Sequence, residues 1–162
     1  MLILLTIFLG MAEGLQPVFS YFMAIGAEKK NRDMRRFSTG VFLGAGLISY
    51  GLIVLFSGKF FSIFSPNDLE LVAFAQSKSM VYFCGFFLAG FNILMISFWQ
   101  STANTQKALI VSLSRSLIWP SILMIVLPLI FGREAIWICQ SSSETATACI
   151  AIIFQIFFNK TK

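Results

Sequence analysis

The chain has 162 residues and a formal net charge of +5, with 57% hydrophobic and only 12% charged residues. Soluble domains carry roughly 25% charged residues, and a soluble globule of this size exposes too much surface to hide so many apolar side chains. The composition excludes a water-soluble domain and predicts an all-α integral membrane protein.

The basic residues lie in short connectors between apolar runs, where positive charge sets membrane orientation. We therefore expect membrane lipid, and not nucleic acid, as the surrounding partner. The chain has no His, and its three cysteines form no CxxC pair. The commonest metal ligand and the recognisable catalytic motifs are thus missing, so we expect no enzyme activity, no catalytic residue and no bound metal.

Five apolar stretches each approach the ~20 residues that cross a bilayer. They predict helices at about 1–27, 37–64, 75–99, 107–131 and 135–158. One side of the membrane then collects nine basic residues: Lys29, Lys30, Arg32, Arg35, Arg36, Lys107, Arg115, Lys160 and Lys162. The other side carries three: Lys59, Lys78 and Arg133. The excess places the C-terminus in the cytoplasm and the N-terminus outside.

The odd number of helices puts the two ends of the chain on opposite sides. Met1 opens directly onto an apolar run, and no basic residue precedes Lys29, whereas a secretory signal begins with positive charge. We expect that a preceding part of a longer protein is absent.

The first helix carries Glu13 near mid-membrane, with Gln16 and Ser20 on the same face. An ionisable group at that depth is expensive and usually faces a cavity or a partner. Glu13 and Gln16 are candidates for a substrate or ion pathway, where the carboxyl can exchange a proton or meet a cation. The alternative is a neutral Glu13 bonded to a neighbouring helix. Pro17 removes a backbone donor and is a candidate hinge.

Glycines at seven-residue intervals in the second helix indicate close helix packing. In the third helix, Asn92 lies deep enough to need a hydrogen-bond partner and is a further pathway candidate. In the fourth, Arg115 is close enough to the cytoplasmic end to extend to the headgroups. Pro120 and Pro128 are the remaining hinge candidates, since membrane helices tolerate proline where neighbours satisfy the freed carbonyls.

The fifth helix is polar from Gln140 to Thr145. A helix that began after this segment would be too short to span the bilayer. We therefore place Glu144 within the membrane, facing other helices, as the last pathway candidate. The alternative is a segment that inserts poorly.

The order of these features resembles the multidrug and toxic compound extrusion (MATE) transporters. Gly14-Leu-Gln16-Pro17 followed by Gly26-Ala27 and a basic run is similar to their G-x-Q-P…G-A stretch, and Phe98–Arg115 to their F-Q-S-x-G…K-A…S-L-x-R stretch. Further features fall in the family's order: Pro120, Leu127-Pro128, Phe131-Gly132, Trp137 and the acidic Glu144. The likeness runs from about residue 10 to 150.

The resemblance implies an inner-membrane antiporter that exports cationic, lipophilic compounds in exchange for H⁺ or Na⁺, with no other cofactor. Family members have twelve helices in two six-helix lobes. Residues 1–162 would form a partial C-terminal lobe that contains helices eight to twelve. This part would not be competent for transport alone. Its partner would be a missing N-terminal lobe or the product of a split gene.

The sequence departs from the family pattern at several positions. Pro17 to Gly26 is longer than expected, Phe22 stands near where an Asn is frequent, Ala103 replaces a Gly, and Ser141 replaces a Pro. Two other functions stay open: a related lipid flippase, and a small membrane protein that binds a partner without transporting anything.

Overall fold

The computed structural model describes the backbone of residues 2–160 and the side chains of residues 3–157, so Lys162 and Met1 lie outside the described residues. The described chain is helical, with seven α-helices, one π-helical turn and one 3₁₀ turn. The α-helices are α1 (Leu2–Ala24), α2 (Glu28–Phe64), α3 (Leu69–Phe83), α4 (Phe86–Ser101), α5 (Thr105–Leu113), α6 (Trp119–Phe131) and α7 (Cys139–Lys160).

Four helical stretches of the described chain are long and apolar enough to cross a membrane: Ile3–Ala24, Glu28–Phe64, Leu69–Ser101 and Thr105–Phe131. The all-α membrane fold is thereby confirmed. The predicted fifth span is also a helix, α7, which is polar in its first half.

Helix α4 forms the centre of the bundle. It packs against α1, α2, α5 and α7, and most of its residues are buried, including Phe91, Leu94 and Trp99. The ring centroid of Phe8 lies 5.9 Å from that of Phe42 and 5.5 Å from that of Phe86, the first residue of α4. Large apolar side chains such as Leu55 and Leu129, by contrast, are at least 75% exposed, as expected of surfaces whose solvent is lipid.

The third predicted span is not one continuous helix, because α3 and α4 are separated at Cys84-Gly85. The Gly85 N–H bonds to the hydroxyl of Ser141 on α7, at 3.2 Å. A Cβ at Gly85 would lie 2.8 Å from the Ser141 Cα. The Ser141 hydroxyl also lies 3.0 Å from the carbonyl oxygens of both Val81 and Tyr82. This single side chain satisfies backbone groups that the break releases.

The fourth predicted span is continuous, but it contains a π-helical turn at Ser114–Ile118. Pro120 has no N–H to offer the carbonyl four residues earlier, and the N–H of Trp119 bonds to the carbonyl of Ser114, five residues back. Proline thus widens the helix by one residue at this point. Turns of this kind rotate the side chains that they carry and occur frequently at functional sites.

The connectors also differ in detail from the sequence prediction. The basic segment from Glu28 to Arg36 is the first part of α2 and not a loop. The tight turn at Gly132 has the positive φ (82°) that suits glycine. Ala103, between α4 and α5, adopts φ 58° without that freedom, at the position where the resembling family has a Gly.

Candidate functional site

A buried salt bridge joins Glu144 of α7 to Arg115 of the π-helical turn. Arg115 Nη2 lies 2.9 Å from Glu144 Oε1, and Arg115 Nε lies 3.1 and 3.0 Å from the two carboxylate oxygens. The Glu144 side chain is 3% exposed and that of Arg115 is 19% exposed. The carboxylate is therefore held wholly inside the bundle, while the guanidinium keeps one side open.

Two amide side chains complete the coordination of Glu144. Gln140, one turn earlier on α7, donates from Nε2 to Oε1 at 3.2 Å. Asn92 of α4 donates from Nδ2 to Oε2 at 2.8 Å and to the Glu144 backbone carbonyl at 3.0 Å. Charge-assisted bonds of this kind are stronger than neutral ones. The carboxylate is thus bound by three side chains from three elements.

The Asn92 side chain is fully buried, but its Oδ1 accepts no hydrogen bond. An acceptor left unsatisfied inside a protein costs free energy comparable to a lost hydrogen bond. This oxygen is a polar atom of the buried site that has capacity for a further donor.

The sequence brings these groups together through local rules of helix geometry. Gln140 and Glu144 are four residues apart and share a face of α7. The π-helical turn sets the direction of Arg115. We expected Arg115 to extend to the headgroups, and this prediction was wrong: a buried carboxylate is a closer and less hydrated partner than the membrane surface. Nothing in the spacing signalled a pair 29 residues apart.

The four pathway candidates lie in two separate parts of the structure. Asn92 and Glu144 bond directly to each other. Glu13 is exposed and Gln16 is half-buried on α1, and neither makes a hydrogen bond or ion pair with Asn92 or Glu144 in the described residues. We call the exposed side of α1 that carries Glu13 and Gln16 the α1 polar face.

The α1 polar face lies beside the side of α1 that packs on α4, because Gln16 follows Ala12 by about one helical turn. On the packed side, Ala12 and Phe19 are buried, and Ser97 of α4 donates to the Ala12 carbonyl at 2.9 Å. On the other side, Glu13 has no hydrogen bond or ion pair with the described chain, and a Cβ at Gly10 or Gly14 would meet nothing within 4 Å.

The three hinge candidates occupy different settings. Pro17 lies within α1 and Pro128 within α6, whereas Pro120 follows the π-helical turn that carries Arg115. Among the described residues, no three His, Cys, Asp or Glu side chains are grouped as a metal site. The hinge roles and the pathway roles stay predictions.

Comparison with known proteins adds one family. The sequence profile of the MatE family matches residues 1–125, which include Glu13, Gln16, Asn92 and Arg115 and end before α7. No curated protein and no solved structure matches the chain significantly.

Proposed function

Because this chain belongs to the MatE family, a family of membrane transporters, we propose that it is part of an antiporter that exports cationic, lipophilic compounds in exchange for H⁺ or Na⁺. The family-level assignment makes it a multi-pass membrane transport protein and not an enzyme. The proposal adds the substrate class and the exchange ion to this family-level assignment.

The observation that supports this proposal most directly is the α1 polar face. Glu13 sits in the middle of the 22-residue apolar stretch Ile3–Ala24 and faces away from the described helices. A carboxyl group at that depth does not face acyl chains without a large cost. The face therefore borders either a water-filled pathway or a second helical body.

A transport cycle provides both of these neighbours. Alternating access moves one helical body against another around a site near the bilayer midplane. In the proposal, the second body is an N-terminal lobe, on the same chain or on a separate one, and Glu13 and Gln16 line the pathway between the two. The membrane is the inner membrane, with the N-terminus of this chain outside and its C-terminus in the cytoplasm.

A drug-efflux assay in a transporter-deficient bacterial host tests the proposal. The chain is expressed alone and together with a separately expressed N-terminal lobe of a MATE transporter, and ethidium export is followed by fluorescence. We expect energy-dependent export only from the pair. Export by the chain alone contradicts the need for a second body, and no export from the correctly inserted, associated pair contradicts the proposed function.

Glu13→Gln in the co-expressed pair is expected to abolish most of the export, because the neutral amide attracts no cation and exchanges no proton. Glu70→Gln is the matched control, since Glu70 is an exposed carboxylate at the start of α3. Equal export by the two variants would remove Glu13 from the pathway. Movement of lipid rather than ethidium by the pair would favour the flippase alternative.

A further inference from the structure

A half-open cavity of about 340 Å³ lies next to the buried ion pair, between α3, α6, the 3₁₀ turn Arg133–Ile138 and α7. Tyr82, Met124 and Trp137 supply most of its apolar and aromatic wall, and Gln140 supplies an amide. Pockets for small molecules have this size and this composition, with few polar groups among many apolar ones.

Gln140 connects the cavity to the carboxylate of Glu144. Its side chain lines the cavity, and its Nε2 donates to Glu144 Oε1. Tyr82 of α3 lines the same cavity. A positive charge in the cavity would thus be separated from Glu144 by one flexible amide side chain.

The groups around Glu144 differ in their freedom to move. Glu144 is enclosed on a short side chain, whereas Arg115 is partly exposed and has a long stem that can carry its charge toward the membrane surface. Asn92 Oδ1, beside the pair, accepts no hydrogen bond. Arg115 is therefore the exchangeable partner of the pair, and Glu144 is the fixed one.

We propose that this cavity binds a small aromatic cation whose charged group takes the place of Arg115 on Glu144. The rings of the ligand pack against Trp137 and Tyr82, whose faces attract cations. The ligand charge then compensates the buried carboxylate, which would otherwise be left unpaired. This site deepens the proposed function, on which it rests, by placing a cation-binding step inside the α3–α6–α7 group and away from the α1 polar face.

Equilibrium titration of the purified chain in detergent with ethidium, followed by fluorescence, tests the site without any transport. Glu144→Gln is expected to weaken binding by about tenfold or more, since a charge-assisted contact is lost. Arg115→Gln is expected to tighten binding by about threefold to tenfold, since the resident competitor is removed. If the ion pair has only a structural role, both variants change the affinity for ethidium in the same direction, and that result would overturn the proposal.

Two further variants protect the test against misfolding. Met124→Trp fills the cavity from an exposed position and leaves the ion pair intact, so it is expected to lose ethidium binding while retaining the circular dichroism and elution volume of the parent. Glu70→Gln removes a carboxylate remote from the cavity and is expected to bind like the parent. Unchanged binding by folded Met124→Trp would overturn the proposal.

The binding and export experiments together distinguish a failure of the cavity site from a failure of the proposed transport function. Opposite shifts in binding, with no export by the co-expressed pair, would count against the transport proposal alone. Export by the pair, with binding that both ion-pair variants weaken, would count against the cavity site alone.

Discussion

Glu13 and Glu144 are both carboxylates within helices that the sequence places in the membrane, but their surroundings differ in kind. Glu144 is enclosed by α4, α7 and the π-helical turn, and it bonds to Asn92, Arg115 and Gln140. Glu13 is exposed and bonds to none of the described residues. The charge of Glu144 is compensated by Arg115 within the chain, whereas the α1 polar face requires something outside the described helices.

The free-energy cost of a charge in a membrane is met in two different ways at these two sites. A buried carboxylate whose compensation is internal becomes part of the stability of the fold. A carboxylate whose charge is compensated by a group outside the chain contributes little to the stability of the chain and is available for function.

The largest expected effect is the loss of Arg115. Arg115→Met leaves Glu144 buried and without its cation, which costs about 3–5 kcal/mol of unfolding free energy. Glu13→Gln is expected to change that free energy by less than about 0.5 kcal/mol, as for an ordinary surface substitution. Reversible unfolding by denaturing detergent, followed by circular dichroism, measures both. Equal effects would erase the distinction between the two sites.

Replacing glycine tests the same contrast through packing. A Cβ at Gly85 would lie 2.8 Å from the Ser141 Cα and 3.0 Å from the Ser141 carbonyl oxygen, so Gly85→Ala is expected to destabilise the chain by about 1–3 kcal/mol through overpacking. Gly10→Ala meets nothing within 4 Å and is expected to be neutral or stabilising in the chain alone, because alanine favours helix. The same unfolding measurement compares them, and a costly Gly10→Ala would show an internal contact at the α1 polar face.

Ser141 and Ser20 form a third matched pair. Ser141→Ala leaves the Gly85 N–H and the Val81 and Tyr82 carbonyls without their hydroxyl partner, at an expected cost of about 1–2 kcal/mol. Ser20 donates to the Ser101 carbonyl at an exposed position, so Ser20→Ala is expected to cost less than about 0.5 kcal/mol. Thermal unfolding in detergent distinguishes the two. A Ser141→Ala variant as stable as the parent would mean that water replaces the hydroxyl.

The smallest expected effect is a gain. Ala103 has φ 58° in the loop between α4, which bears Asn92, and α5, which leads to Arg115. Ala103→Gly relieves the left-handed backbone and is expected to stabilise the chain by about 1 kcal/mol. Ala27→Gly, at a negative φ of −82°, is the control and should bring no gain. Thermal unfolding measures both, and a destabilised Ala103→Gly would show that the loop is not strained.

Much of the fold could be predicted from the sequence. The apolar runs indicated the helices, because membrane-spanning segments depend on length and composition. The need of Asn92 for a partner was also predictable from its depth. The break at Gly85 could not be predicted, since an uninterrupted apolar run indicates one continuous helix. The break depends on Ser141, 56 residues later in the chain, whose hydroxyl bonds to the freed backbone groups.

From the amino-acid sequence alone it follows that lipid is the solvent of this chain, that most of its basic residues lie between the apolar runs, and that Glu13, Asn92 and Glu144 are costly within the membrane. Which of these costs is met inside the chain becomes visible in the folded bundle. The physical reason is that compensation of a buried charge depends on which side chains meet across helices, and residues 29 or 52 positions apart are brought together by packing and not by any local pattern.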